Sequence, residues 1–90
     1  MQLKETLEYL KKQKIIVEIY GLGYVGFPLA VKLAKEGITI HGIDVNDNRI
    51  QRLKKNDLLD SELNLKKEFV ESRTNRKLEL NTRPIETDTP

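Results

Sequence analysis

One short stretch limits this chain more than any other. The run Ile15-Ile16-Val17-Glu18-Ile19-Tyr20 is β-branched and aromatic, and it passes directly into Gly21-Leu22-Gly23-Tyr24-Val25-Gly26. That string is G-x-G-x-x-G, and alone it carries little weight. Here it follows a predicted strand over 15–20 and opens a predicted helix over 24–36, whose stripe is Val25, Leu29 and Leu33 with Ala30 and Ala34 beside it. In that setting it reads as a dinucleotide-binding fingerprint. Gly21 permits the tight strand-to-helix turn, and Gly23 has no side chain to keep a pyrophosphate from the backbone. Gly26 lets helix and strand lie close together. The unpaired N–H groups at the helix start then face the phosphates. Pro28 fits a first helical turn, and Gly37 supplies the stop.

The rest of the chain continues the alternation. Residues 2–13 predict an amphipathic helix with Leu3, Leu7 and Leu10 on one side. Residues 38–43 predict a second strand and 47–56 a helix capped by Asn46 or Asp47, with Ile50 and Leu53 inward. A fourth helix is predicted over 62–72, capped by Asp60 or Ser61 and carrying Leu65, Phe69 and Val70. A short strand follows over 77–81, and then a polar, turn-rich tail. Strands alternating with helices imply an α/β fold: a three-stranded parallel sheet built by right-handed crossovers, with flanking helices and an extra N-terminal helix. This is a partial Rossmann fold. Residues 1–14 form the helical extension, and residues 15–90 form a truncated half-domain.

Asp44 ends the second predicted strand, 18 residues beyond Gly26. A carboxylate there accepts hydrogen bonds from adenosine ribose hydroxyls and repels a 2′-phosphate, which favours NAD over NADP. Arg49 follows early in the next helix. It can reach the adenosine side of a cofactor, and it blunts the NAD preference because an arginine is what accommodates a 2′-phosphate. The plain alternatives are a glycine turn that binds nothing, an aspartate that only caps a helix, and a solvated helix arginine.

Composition removes whole classes of chemistry. The chain has 90 residues and no cysteine, so disulfides, thiolate catalysis and zinc–sulfur sites are excluded; one histidine excludes most histidine-based metal sites. Sixteen basic and fourteen acidic residues give a net charge of +2, with the two signs interspersed. No basic stripe of the kind that binds nucleic acid is present. No run approaches the ~18 apolar residues of a membrane span, and the start MQLKETLEYLKKQK has no apolar core of a signal peptide. The expectation is a cytoplasmic protein.

The strings GLGYVGFPLAVKLAKEG and GIDVNDNRIQRLKKN resemble the N-terminal domain of the UDP-glucose/GDP-mannose dehydrogenase family. DSELNLKKEFVESRTNRKLELNTRP fits more loosely the helix and short strand that follow in that family, so the resemblance spans roughly residues 15–85. It implies NAD as cofactor and a nucleotide sugar as substrate of the whole enzyme, with the sugar C6 alcohol oxidised to the carboxylate. It also implies that Tyr24, Val25, Asp44 and Arg49 contact NAD. The candidate cofactor site is therefore Gly21, Leu22, Gly23, Tyr24, Val25, Gly26, Asp44 and Arg49. In the family, the covalent chemistry resembles a cysteine thiohemiacetal mechanism aided by lysine and asparagine from later segments; this chain has no cysteine and no candidate catalytic residue. A stand-alone nucleotide-binding module and a segment of another dehydrogenase are the competing readings. UDP-glucose, GDP-mannose and UDP-N-acetyl-hexosamines all remain open, with a tilt to the last.

Two further expectations concern the sheet. Glu18 lies three residues before Gly21 and His41 three before Asp44, which predicts cross-strand neighbours and an ion pair, unless that sheet face is simply exposed. The strand order 3-2-1 leaves residues 15–20 as an edge. An edge strand this β-branched, without proline or lysine, predicts a homodimer, unless helix 2–13 folds over the exposed face.

Overall fold

The computed structural model describes residues 2–84. The elements run α1 (Leu3–Gln13), β1 (Ile16–Tyr20), α2 (Gly26–Lys35), β2 (Thr39–Ile43), α3 (Asp47–Lys54), a 3-10 segment (Asp60–Leu65), α4 (Lys66–Thr74) and β3 (Leu78–Asn81). The sheet is parallel throughout, in the order β1-β2-β3. This is the α/β, three-stranded half of a Rossmann sheet, with β2 in the middle. Both crossovers move the same way across the sheet, so right-handedness places α2, α3 and α4 on one face.

The core lies under that face. Phe27, Ala30, Val31 and Ala34 of α2 meet Ile38, Ile40, Leu78 and Leu80, with Ile50, Leu53, Leu58 and Phe69 closing the far side. Phe27 and Phe69 pack ring on ring, their centroids 5.3 Å apart and tilted by 49°, within the range aromatic pairs favour. The buried stripe of α2 differs from the expected one: Val25 is 79% exposed, Leu29 is exposed and Leu33 is half-buried. Both stripes satisfy a 3.6-residue period. Gly26 decides between them, because its close approach to Gly21 and Ile19 turns Ala30 and Ala34 inward.

Other departures are local. The fourth helix begins with the 3-10 segment rather than with a cap at Asp60 or Ser61. The residue preceding that segment is Leu59, whose N–H donates to Glu62 Oε1 at 3.1 Å. Asn46 is the cap of α3, its side-chain oxygen accepting the Arg49 N–H at 3.1 Å. Gly37, at φ 95°, ends α2 as expected. In α1, Leu7 and Leu10 pack against the core while Leu3 is exposed, and Lys11 lies against Gly37 beside the N-terminal end of β2. α1 thus leaves the outer sheet face bare: Ile16 is 48% and Tyr20 62% exposed. The tail beyond residue 84 lies outside the described residues.

Glu18 and His41 are direct register partners, and His41 pairs in turn with Glu79. No ion pair joins Glu18 to His41 among the described residues. Glu18 is exposed and instead accepts a bond from the Tyr20 hydroxyl at 3.3 Å. Partial desolvation, with the Glu18 carboxylate beside it, holds the Tyr20 phenol above its ordinary pKa. In solvent an ion pair gains little over hydration, which removes the drive to form one.

Candidate functional site

The site forms where β1 and β2 end level. Tyr20 and Ile43 are register partners, so Gly21 and Asp44 emerge side by side, and Gly21 N–H donates to the Ile43 carbonyl at 2.7 Å. Gly21 takes φ 88°, a left-handed conformation that favours glycine. A Cβ on Gly26 would sit 1.8 Å from the Gly21 carbonyl oxygen, so only hydrogen is tolerated there. Gly23 differs from both. A Cβ built on it would meet nothing within 4 Å, and its φ is ordinary. Protein packing does not ask for glycine at this position, and the open space in front of it fits a pyrophosphate that must reach the backbone.

The backbone donors agree. Among the described residues, the N–H groups of Gly23, Tyr24, Val25 and Gly26 have no protein acceptor, while the Gly23 carbonyl accepts Phe27 N–H at 3.1 Å. Four free N–H groups at the start of a ten-residue helix make an anion-binding end. Tyr24 and Val25 hold their side chains in solvent beside it.

Leu22 gives the turn its rigidity. Its side chain is buried in the core cluster and covers Gly42, where a Cβ would lie 3.2 Å from both Leu22 δ-carbons. Its N–H donates to Asp44 Oδ2 at 2.9 Å. Asp44 Oδ1 accepts Asn46 N–H at 3.0 Å. Each carboxylate oxygen keeps a lone pair for another donor. Asp44 is therefore not the cap of α3, which is Asn46; its carboxylate ties the approach to that helix to the glycine turn.

Arg49 is not a solvated helix charge. Its Nε and Nη2 donate to the Leu22 carbonyl at 3.2 and 2.8 Å. Nη1 donates to Glu62 Oε1 at 2.9 Å, and Nη2 also pairs with Glu62 Oε2. The guanidinium stands 5.1 Å from the Phe27 ring centroid, as a cation over an aromatic face. The two side chains keep 13% and 8% of their exposure, so this is a largely buried bidentate pair. Sequence reasoning gave Glu62 no role: it lies in the loosely matching DSELNLKK stretch, and its partner, 13 residues away, meets it only through the 3-10 segment. A recess of about 210 Å³ adjoins the pair, lined by Leu22, Gly23, Tyr24, Pro28, Leu59 and Leu65 among others. Among the described residues no group of three or more His, Asp or Glu converges as a metal site. No helix there is long and apolar enough to cross a membrane.

A parallel βαβ unit with a glycine turn, a free helix start and an acid ending the second strand defines a dinucleotide-binding half of the Rossmann type. The comparisons narrow that class. Residues 13–88 match the NAD binding domain of the UDP-glucose/GDP-mannose dehydrogenase family, and the chain belongs to that family, with NAD as its cofactor. It is 34% identical over 79 residues to a UDP-N-acetyl-D-mannosamine dehydrogenase of Methanococcus aeolicus, a match covering 86% of this chain and 18% of that enzyme. Over 40 residues it is 42% identical to the enzyme of the same description from Methanococcus maripaludis, covering 44% of this chain and 9% of that one. Among solved structures it resembles the UDP-N-acetyl-mannosamine dehydrogenase Cap5O of Staphylococcus aureus. The TM-score is 0.74 at 30% identity, covering 82% of this chain and 18% of that one. The chain thus spans under a fifth of the length of these relatives.

Proposed function

We propose that residues 15–90 are the NAD-binding portion of a nucleotide-sugar dehydrogenase that oxidises a sugar C6 alcohol to the carboxylate, with residues 1–14 as a helical extension. The observation that carries this reading is the turn itself: four free N–H groups in front of an unobstructed Gly23, flanked by Asp44. Gly23, Tyr24, Val25 and Gly26 offer their N–H groups to the pyrophosphate. Gly21 and Leu22 shape the turn, and Asp44 accepts the adenosine ribose hydroxyls with its spare lone pairs. Arg49, on the adenosine side of the turn, acts chiefly by fixing Leu22. NAD supplies the hydride acceptor when bound; these residues bind and orient it.

The relatives named as UDP-N-acetyl-mannosamine dehydrogenases support a UDP-N-acetyl-hexosamine as the substrate. A cytoplasmic location is part of the same proposal. The unpaired outer edge of β1, with Ile16 and Tyr20 exposed, supports association of two copies.

The test is calorimetric titration of the 90-residue chain with NAD, ADP-ribose and AMP. The adenosine half of the site lies within these residues, so the three ligands should bind within about tenfold of one another, or 1.4 kcal/mol. Absence of binding by all three would refute the reading. A larger preference for NAD would place nicotinamide contacts here as well.

A further inference from the structure

Arg49 is the arginine nearest to Asp44 in sequence, and the fold brings both onto Leu22. Asp44 holds the Leu22 N–H and Arg49 the Leu22 carbonyl, so carboxylate and guanidinium border the same residue. An arginine in that position is what an enzyme uses to accommodate a 2′-phosphate, because its planar fork pairs two oxygens at once. Here the fork is already filled. Nε points to the Leu22 carbonyl, both Nη2 hydrogens are taken by Leu22 and Glu62, and one Nη1 hydrogen goes to Glu62. Four of five donors are engaged by the bonds named, counting the five hydrogens a guanidinium carries. The Glu62 carboxylate cancels the charge and is itself anchored by the Leu59 N–H at 3.1 Å.

We propose that Glu62 is a cofactor-specificity residue: by holding Arg49 against the glycine turn, it withholds that cation from a 2′-phosphate and keeps the site selective for NAD over NADP. The inference rests on the reading of the turn as an adenine-dinucleotide site. A phosphate on the ribose would meet the Asp44 and Glu62 carboxylates and an arginine already neutralised. Asp44 alone supplies only part of the discrimination, since one uncompensated arginine beside it would offset its charge.

Glu62→Gln keeps the shape and one acceptor oxygen and removes the charge. Calorimetric Kd values for NAD and NADP should show their ratio narrowing by about tenfold, with NAD itself changed by less than about threefold. A purely structural role for Glu62 would weaken both ligands by one factor and leave the ratio unchanged. That result, from a folded variant, overturns the proposal.

A second variant avoids any dependence on the buried charge. Replacing an ion pair by apolar residues of similar size is often neutral for stability, so Arg49→Met with Glu62→Met is expected to fold. Since Arg49 lends nothing to a 2′-phosphate in the unsubstituted chain, the NAD to NADP ratio should stay within about threefold, half a decade on the affinity scale. A tenfold loss confined to NADP would show that the arginine was available all along, and would overturn the proposal. If the unsubstituted chain binds neither dinucleotide, the reading of the turn fails and takes this inference with it.

Discussion

Asp44 and Arg49 hold opposite ends of one residue. Asp44 Oδ2 accepts the Leu22 N–H at 2.9 Å, and Arg49 Nη2 donates to the Leu22 carbonyl at 2.8 Å. Leu22 occupies the first variable position of the glycine motif, so its two peptide groups set where the four free N–H groups point. With the side chain buried over Gly42, the turn is fixed from three directions before any ligand arrives. Preorganisation of this kind reduces what binding must spend on ordering.

Asp44→Ala should therefore act twice. It removes the proposed ribose acceptor and leaves the part-buried Leu22 N–H without a partner, at a cost of about 1–3 kcal/mol. For a domain of this size that is a fall in Tm of at least about 4 °C. NAD and AMP should weaken together, by about tenfold, because both carry the adenosine ribose. Calorimetry with each ligand and a thermal melt measure the two effects separately. Loss of NAD affinity alone would place Asp44 away from the ribose.

The motif glycines separate folding from binding. In Gly23→Ala the new methyl meets no protein atom within 4 Å, and the backbone angle is ordinary, so Tm should hold. The methyl fills the open space proposed for the phosphate, so NAD affinity should fall by tenfold or more, about 1.4 kcal/mol. Gly26→Ala forces a methyl to 1.8 Å from the Gly21 carbonyl oxygen. Backbone must move, and the cost should reach or exceed the ~1–3 kcal/mol of ordinary overpacking. Melts of the two variants should differ clearly; equal Tm values would refute the close approach of α2 to β1.

The two ion pairs among the described residues should also differ. Arg49→Met strands Glu62 in a largely buried place, and removing one partner of such a pair costs about 3–5 kcal/mol. Arg52 and Asp57 pair at 2.9 Å in solvent, where Arg52→Met should change stability little. The Arg52 guanidinium, through its hydrogen bond first and its charge second, holds Asp57 below the usual carboxylate range. A depressed folded value means the stabilisation is present above the ordinary carboxylate pKa and is lost as pH falls through the folded one. Acid melts of Asp57→Asn should converge with those of the unsubstituted chain as that range is crossed, and any gap between them at neutral pH should be small.

The glycine turn, Asp44 and the strand order were legible because each depends on neighbours within one βαβ unit. Gly21 and Gly26 announce backbone needs that no other residue meets, and a crossover rule converts the strand–turn–helix pattern into topology. The rotation of α2 was not legible. Val25, Leu29 and Leu33 fit a helical period as well as Phe27, Ala30, Val31 and Ala34 do, and only the contact of Gly26 with the Gly21 carbonyl selects between them. Glu62 was hidden for a different reason. It lies in a 3-10 segment, where periodicity says nothing about facing, and its partner Arg49 sits on another helix. The Glu18–His41 register followed from counting back from the strand ends, whereas the missing ion pair follows from exposure, which is a property of the whole sheet.

The bare sheet edge carries the last expectation. Among the described residues β1 pairs with β2 alone, so its outer side presents unpaired N–H and C=O groups, and its outer face exposes Ile16 and Tyr20. Lys14 stands just before the strand and none lies within it, and no proline or bulge blunts the edge. Such an edge is a template for another strand. A two-fold axis beside β1 would pair it with its own copy in the antiparallel sense, join two sheets into one of six strands, and bury Ile16 and Tyr20 together with their counterparts. α1 does not compete for this position, since Leu7 and Leu10 are already packed against the core. Light scattering should therefore give twice the 10.4 kDa chain mass at high concentration. Ile16→Lys places a charge on the outer face next to the seam and should shift the mass toward the monomer while leaving NAD affinity unchanged, because Ile16 is at the opposite end of β1 from the glycine turn. A monomer at every concentration would refute the pairing, and a dimer indifferent to Ile16→Lys would move it to another surface.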